Sequence, residues 1–215
     1  MSLRENKKRA RTAEEKTDRR SVVLSAAREM IAESGFESVT MSGLAKRAGL
    51  AKGTLYLYVK TKEEVFALLF VEGLSGYVDA LLPHVGEDEA LIRAMSMEAR
   101  ENALFLPLMA RLTTIIEANL SREALIRTKR AVGAQAARLT TEMATERAMG
   151  SGEAFDLVHA LFVALQGAAQ LSVARPAFFD ELPEDVKQVY GASEPDAAFV
   201  TAARLILKGA ADASA

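Results

Sequence analysis

MSGLAKRAGLAKGTLYLYVK, residues 41–60, is the stretch on which the fold turns. Leu44, Ala45 and Ala48 recur at helical spacing, Gly49 interrupts them, and a second helical run follows over residues 52–59. Thr40 stands where an N-cap hydroxyl is wanted. Two short helices crossing steeply through a tight turn need three things. These are a small residue where they meet, a turn residue that accepts positive φ, and apolar residues that lock the second helix onto the first. Ala45 is the small residue, Gly49 the turn, and Leu44, Ala48, Leu50, Leu55 and Tyr58 the lock. The spacing predicts a helix-turn-helix, whose second helix enters the major groove of duplex DNA.

Upstream, Val23, Ala27, Met30 and Ile31 fall on one helical face. That helix is expected to start near Arg19 and to stop at Gly35, with Phe36 folding back towards Ile31 as in a Schellman motif. Residues 1–18 (MSLRENKKRARTAEEKTD) have almost no apolar content and read as a basic tail without fixed structure, a candidate minor-groove arm. Downstream, Thr61 and Glu64 form a capping-box pattern that opens a long helix over residues 63–82. Gly73 and Gly76 lie in its middle and mark the easiest place for it to bend. Further helices are predicted over residues 88–102, 105–119, 121–148, 152–175 and 194–210. No strand pattern appears, so the fold class is all-α. Residues 157–174 form a charge-free run of the length of a membrane span, yet they hold His159, Gln166, Gln170 and Ser172 and read as a buried helix.

The net charge of −2 conceals an asymmetry. The first 62 residues carry 14 basic against 7 acidic side chains, and the remaining 153 carry 13 against 22. A basic head on an acidic body suggests that the head meets a polyanion.

Gly35-Phe36, Thr40, residues 44–50 (LAKRAGL), residues 52–58 (KGTLYLY) and Thr61-Lys62-Glu63 together resemble the N-terminal domain of the tetracycline-repressor (TetR) family over about 50 residues. The resemblance implies a ligand-responsive transcriptional regulator, a repressor that binds a palindromic operator as a homodimer and is released by a small-molecule inducer. On these residues it places Lys52, Gly53 and Thr54 at base edges, with Thr40 and Ser42 from the preceding helix beside them. Tyr56, Tyr58 and Lys62 fall on phosphate-backbone positions. Ala51 departs from the serine or threonine often found there and removes a cap worth about 1 kcal/mol.

The implied division is a tail over residues 1–18, a DNA-binding head over 19–64 and a ligand-binding and dimerisation body over 65–215. Ala160, Ala164, Gly167, Ala168 and Leu171 on one helix, with Phe199, Ala202, Ala203 and Ile206 on the last, offer small-residue stripes for a four-helix contact between copies. Phe66, Phe70, Phe105, Met109, Thr113, Phe162 and Gln166 offer apolar pocket walls with polar handles, and Phe178, Phe179 and Tyr190 sit in a proline-bounded loop. With no cysteine and only His84 and His159, the chain lacks a thiol nucleophile, a thiolate metal cluster and a paired-histidine zinc helix. No enzyme, catalytic residue, metal or cofactor is expected. A regulator of this kind belongs in the cytoplasm, free of the membrane.

Overall fold

The computed structural model describes residues 3–173, 178–191 and 195–213, and these form ten helices with no strand among them. The head comprises α1 (Leu3–Ser34), α2 (Met41–Arg47) and α3 (Lys52–Leu55). The body comprises α4 (Lys62–Leu81), α5 (Asp88–Glu101), α6 (Phe105–Arg111), α7 (Arg122–Glu146), α8 (Ser151–Val173), α9 (Glu184–Gly191) and α10 (Pro195–Ala213).

α1 starts at Leu3, well ahead of the expected start near Arg19. Residues 3–18 contain no glycine or proline and are rich in Arg, Lys, Glu and Ala, all strong helix formers, so propensity continues the helix where apolar periodicity is silent. Its apolar face then buries Val23, Ala26, Ala27 and Ile31. Gly35 does take positive φ, at 78°, but its ψ of 172° lies outside the left-handed helical region, so no Schellman motif forms there. Phe36 leaves Ile31 and packs edge-on against Phe66 of α4, with ring centroids 5.4 Å apart. The Schellman geometry occurs instead at Gly49 (φ 65°), where Leu50 N–H donates to Ala45 O and Gly49 N–H to Lys46 O.

Three hydroxyl caps set the starts of α2, α4 and α7. Thr40 Oγ1 accepts from Gly43 N–H at 3.0 Å, Thr61 Oγ1 from Glu64 N–H at 3.1 Å, and Ser121 Oγ from Ala124 N–H at 3.2 Å. The Glu64 carboxylate reaches one residue further back than a capping box requires, accepting from Lys60 N–H at 2.7 Å.

In the body, α4 runs through a core formed with α5, α6 and α7, and α8 packs between α6, α7 and α10. Both α4 and α8 have the length and hydropathy of a membrane span. Each carries a buried stripe, including Val65, Leu69, Leu74 and Val78 on α4 and Leu157, Leu161 and Leu165 on α8, as core helices of a bundle do. Tyr77 joins this core, its ring stacked on Phe105 and its hydroxyl donating to Met95 O at 3.0 Å. The expected helix over residues 105–119 is interrupted: α6 gives way to a π-helical turn over Leu112–Ile116 and then a tighter turn to Asn119.

Candidate DNA interface and effector pocket

Within the head, Leu44, Leu55, Val39 and Val59 are fully buried, and Ala45 almost so. α2 approaches α1 so closely at Gly43 that a Cβ there would stand 2.8 Å from Met30 Cε. The sequence pattern points to Ala45 as the small residue between α2 and α3; Gly43 serves the separate approach of α2 to α1.

α3 is α-helical only over Lys52–Leu55, after which Leu57 and Tyr58 donate to the carbonyls of Thr54 and Leu55 in tighter turns that carry the segment to Val59. Ala51 lends it no side-chain cap. Thr40, Ser42, Lys52 and Gly53 are exposed and Thr54, Tyr56, Tyr58 and Lys62 half-buried, at the starts of α2, α3 and α4 and in the turn after α3. No side chain lies within 4 Å of a Cβ built on Gly53, so the backbone there is open to close approach.

The basic residues of this surface divide by partner. Arg47 is held by Glu33, which accepts bidentately at 2.7 and 2.5 Å, and by Glu29 at 3.2 Å. It fastens α2 to α1. The Glu33 carboxyl, hydrogen-bonded by that guanidinium, is held below its ordinary pKa. Lys60 bends back to the Tyr56 carbonyl. Lys46, Lys52 and Lys62 make no ion pair or hydrogen bond among the described residues, so their ammonium groups remain available to phosphates or base edges. Leu57, to which the motif assigns no role, is 74 % exposed in the turn after α3. Its signal in the sequence is a leucine on the polar side of an otherwise consistent pattern.

Besides its packing on α4, the head is tied to α6 and α7 by two contacts. Glu64, almost buried, is paired with Arg127 of α7 at 2.6 Å while it accepts from Lys60 N–H, so a charged pair connects α7 to the end of the recognition segment. The guanidinium of Arg111, the last residue of α6, lies 4.6 Å above the Phe36 ring.

A cavity of about 300 Å³ lies between α4, α6, α7 and α8. Five of the seven expected pocket residues line it: Phe70, Met109, Thr113, Phe162 and Gln166. Lys129, Val132 and Ala136 of α7 and Phe155, Val158 and His159 of α8 complete its walls, none of them indicated by the sequence reading. Two of the seven lie elsewhere. Phe66 is engaged by Phe36, and Phe105, a helical turn before Met109 on α6, lines a separate cavity of about 590 Å³ bordered by Arg28, Glu72, Glu98 and Glu101. Phe178 is exposed in the loop before α9, and the Tyr190 side chain lies outside the described residues. His159 stacks on Phe155, with centroids 6.0 Å apart and planes within 9°.

The small-residue stripes differ in exposure along their length. Ala168, Phe199 and Ala203 are buried within one chain, where the two alanines lie in the packing of α8 with α10. Ala160, Ala164, Ala202 and Ile206 are half-buried, and Gly167 and Leu171 exposed. The apolar groups turned outward are Phe155, Val163 (54 % exposed) and Leu171, spaced eight residues apart on α8, with Leu205 (68 %) on α10.

Comparison with known proteins agrees with this geometry. Residues 23–69 match the family model for bacterial regulatory proteins of the tetR family, and residues 68–211 match the tetracyclin repressor-like C-terminal domain. The fatty acid metabolism regulator protein of Bacillus subtilis is 38 % identical over 65 residues, which are 30 % of this chain and 34 % of that one. The class D tetracycline repressor protein of Escherichia coli is 35 % identical over 86 residues, 40 % and 39 % of the two chains. This chain thus spans between a third and two fifths of the length of these curated relatives. Among solved structures, Thermus thermophilus FadR in complex with lauroyl-CoA superposes with a TM-score of 0.58 at 19 % identity, covering 88 % of this chain and 94 % of that one. Bacillus subtilis FadR in complex with stearoyl-CoA gives 0.52 at 20 % identity, covering 88 % and 98 %. With its head and its body each matched by a domain model of the same family, this chain belongs to the tetR family of DNA-binding transcriptional regulators.

Proposed function

We propose that this protein is a repressor that binds a palindromic operator as a homodimer, in the cytoplasm, and is released when a small apolar molecule occupies the cavity between α4, α6, α7 and α8. It performs no catalysis in this reading. One observation carries it: the helices that wall the cavity are the helices that hold the head. α6 lines the cavity through Met109 and ends at Arg111, which covers Phe36. α7 lines it through Lys129, Val132 and Ala136, and two residues before Lys129 its Arg127 holds Glu64. A molecule that binds one setting of these helices better than another shifts the population of heads placed for DNA.

Thr40, Ser42, Lys52, Gly53 and Thr54 face base edges in this reading, with Leu57 available to a thymine methyl. Tyr56, Tyr58 and Lys62 hold phosphates. The outward apolar groups Phe155, Val163, Leu171 and Leu205, beside Gly167, form the contact between copies. Two superposable FadR proteins hold acyl-CoA molecules, which favours an effector with a long apolar chain.

Selection of bound sequences from random duplexes by the purified protein tests the reading. It should return an inverted repeat whose half-sites lie about 34–36 Å apart or a multiple of that. A single unrepeated site, or no enrichment, overturns it.

A further inference from the structure

The effector cavity changes character from floor to rim. Its floor is apolar and buried, with Phe70, Leu74 and Met109 each almost inaccessible. At its rim stand Lys129, whose side chain is 54 % exposed, and His159. No acidic residue lines it, although residues 63–215 carry 22 acidic against 13 basic side chains. The cavity's only ionisable lining groups among the described residues are therefore bases. Thr113, His159 and Gln166 add polar atoms that make no hydrogen bond among the described residues.

Lys129 is matched by one counter-charge, set behind the wall. Glu117, only 14 % exposed, brings Oε1 to 2.7 Å from Lys129 Nζ, in a direction that forms no hydrogen bond to that oxygen. A carboxylate removed from water and imperfectly satisfied is a costly partner, and a better-placed anion competes well against it. Glu117 directly follows the π-helical turn Leu112–Ile116, whose Leu112 and Thr113 line the cavity. Such turns are rare and occur often at functional sites.

We infer that the effector is an amphiphile, an apolar chain ending in an anion, whose head group takes Lys129 from Glu117 at the rim while the chain fills the floor. This rests on the effector reading of the cavity given above. Lys129 is the residue that selects for the anion, and Glu117 sets how strongly. Glu117 belongs to the segment that continues from α6, so its release acts at the end of the helix whose Arg111 covers Phe36.

Calorimetric titration with decanoate below its micellar concentration and with 1-decanol below its solubility limit tests the assignment. The full-length parent should bind decanoate about tenfold tighter, the scale of one charge-assisted contact at a partly exposed site. Lys129→Met should remove that preference and leave 1-decanol binding within about twofold. Lys129→Arg should keep it. Glu117→Gln should tighten decanoate several-fold without moving 1-decanol. If both probes bind equally to the parent, or the ratio survives Lys129→Met, the head-group assignment fails and the cavity reading stands. If neither probe binds to a parent that still binds duplex DNA, the apolar-effector reading and this inference fail together.

Discussion

Lys52 and Lys62 carry the same charge at different starts, one opening α3 and the other α4, and their expected work differs. Replacing Lys62 by alanine should weaken specific and random duplexes alike and lower the slope of log affinity against log salt by about 0.9, because one phosphate is no longer neutralised. Lys52→Ala and Thr54→Ala should change the selected base pairs instead. Leu57→Ala removes an exposed apolar group that has no folding task, so it should relax preference at one position by about 1 kcal/mol while stability holds. Sequence selections on the four variants check this, and an unchanged consensus for Lys52, Thr54 and Leu57 variants contradicts it. Arg47 belongs to stability. The carboxyl of Glu33, depressed by the Arg47 hydrogen bond, contributes stability that is full above the ordinary carboxylate range and lost as pH falls through the depressed value. Thermal melts of Glu33→Gln and parent should therefore differ at neutral pH and converge in acid, below the depressed value; a gap that persists there assigns the effect to packing.

Among the elements, α4 joins head to body, and its two glycines differ in surroundings. A Cβ on Gly73 would stand 3.1 Å from Asn102 Nδ2 and 3.5 Å from Phe105, whereas nothing lies within 4 Å of one on Gly76. Asn102 is itself committed, accepting from Leu104 N–H at the α5–α6 turn. Gly76→Ala should raise stability by about 1 kcal/mol, as alanine does in a helix interior, and reduce the effector's influence on operator affinity if α4 bends there. Gly73→Ala should gain less or lose. Denaturant melts of both, with operator titrations at saturating effector, decide between a hinge and a close approach. Helix starts are legible where a hydroxyl sits one residue ahead, as at Thr40, Thr61 and Ser121, because a cap is a local interaction. The interruption after α6 and the short α9 are not legible. The first depends on packing between helices distant in sequence, and α9 lies between prolines and breakers that read as loop. The early start of α1 is hidden for a different reason: a helix held by propensity alone shows no apolar period.

For the whole molecule, the head's assignment is legible because its residues sit within one local motif, and the body's only in part. Five pocket residues follow from helical faces, while Lys129, Phe155 and His159 require knowing how α7 and α8 lie together. The proposed contact between copies shows the same limit, since a stripe of small residues serves equally for packing inside a chain, as Ala168 and Ala203 do. Aspartate at both Val163 and Leu205 should yield folded monomers, because these side chains are outward on the proposed interface; aspartate at Ala203 should unfold the chain by burying an unpaired charge. Sedimentation with far-UV dichroism distinguishes the outcomes, and a dimeric Val163→Asp, Leu205→Asp variant moves the interface elsewhere. The polarity of the molecule, basic over its first 62 residues and acidic beyond, leads to the most direct test of all. Affinity for random-sequence duplex is measured from about 50 to about 300 mM salt with the intact protein and with Lys52, Lys62 and Tyr56 replaced together. The expected result is a linear fall of log affinity with log salt, with a slope of several units in the parent and a shallower one in the variant. Binding that ignores salt, or a slope the triple variant leaves unchanged, would contradict the assignment of this head to DNA.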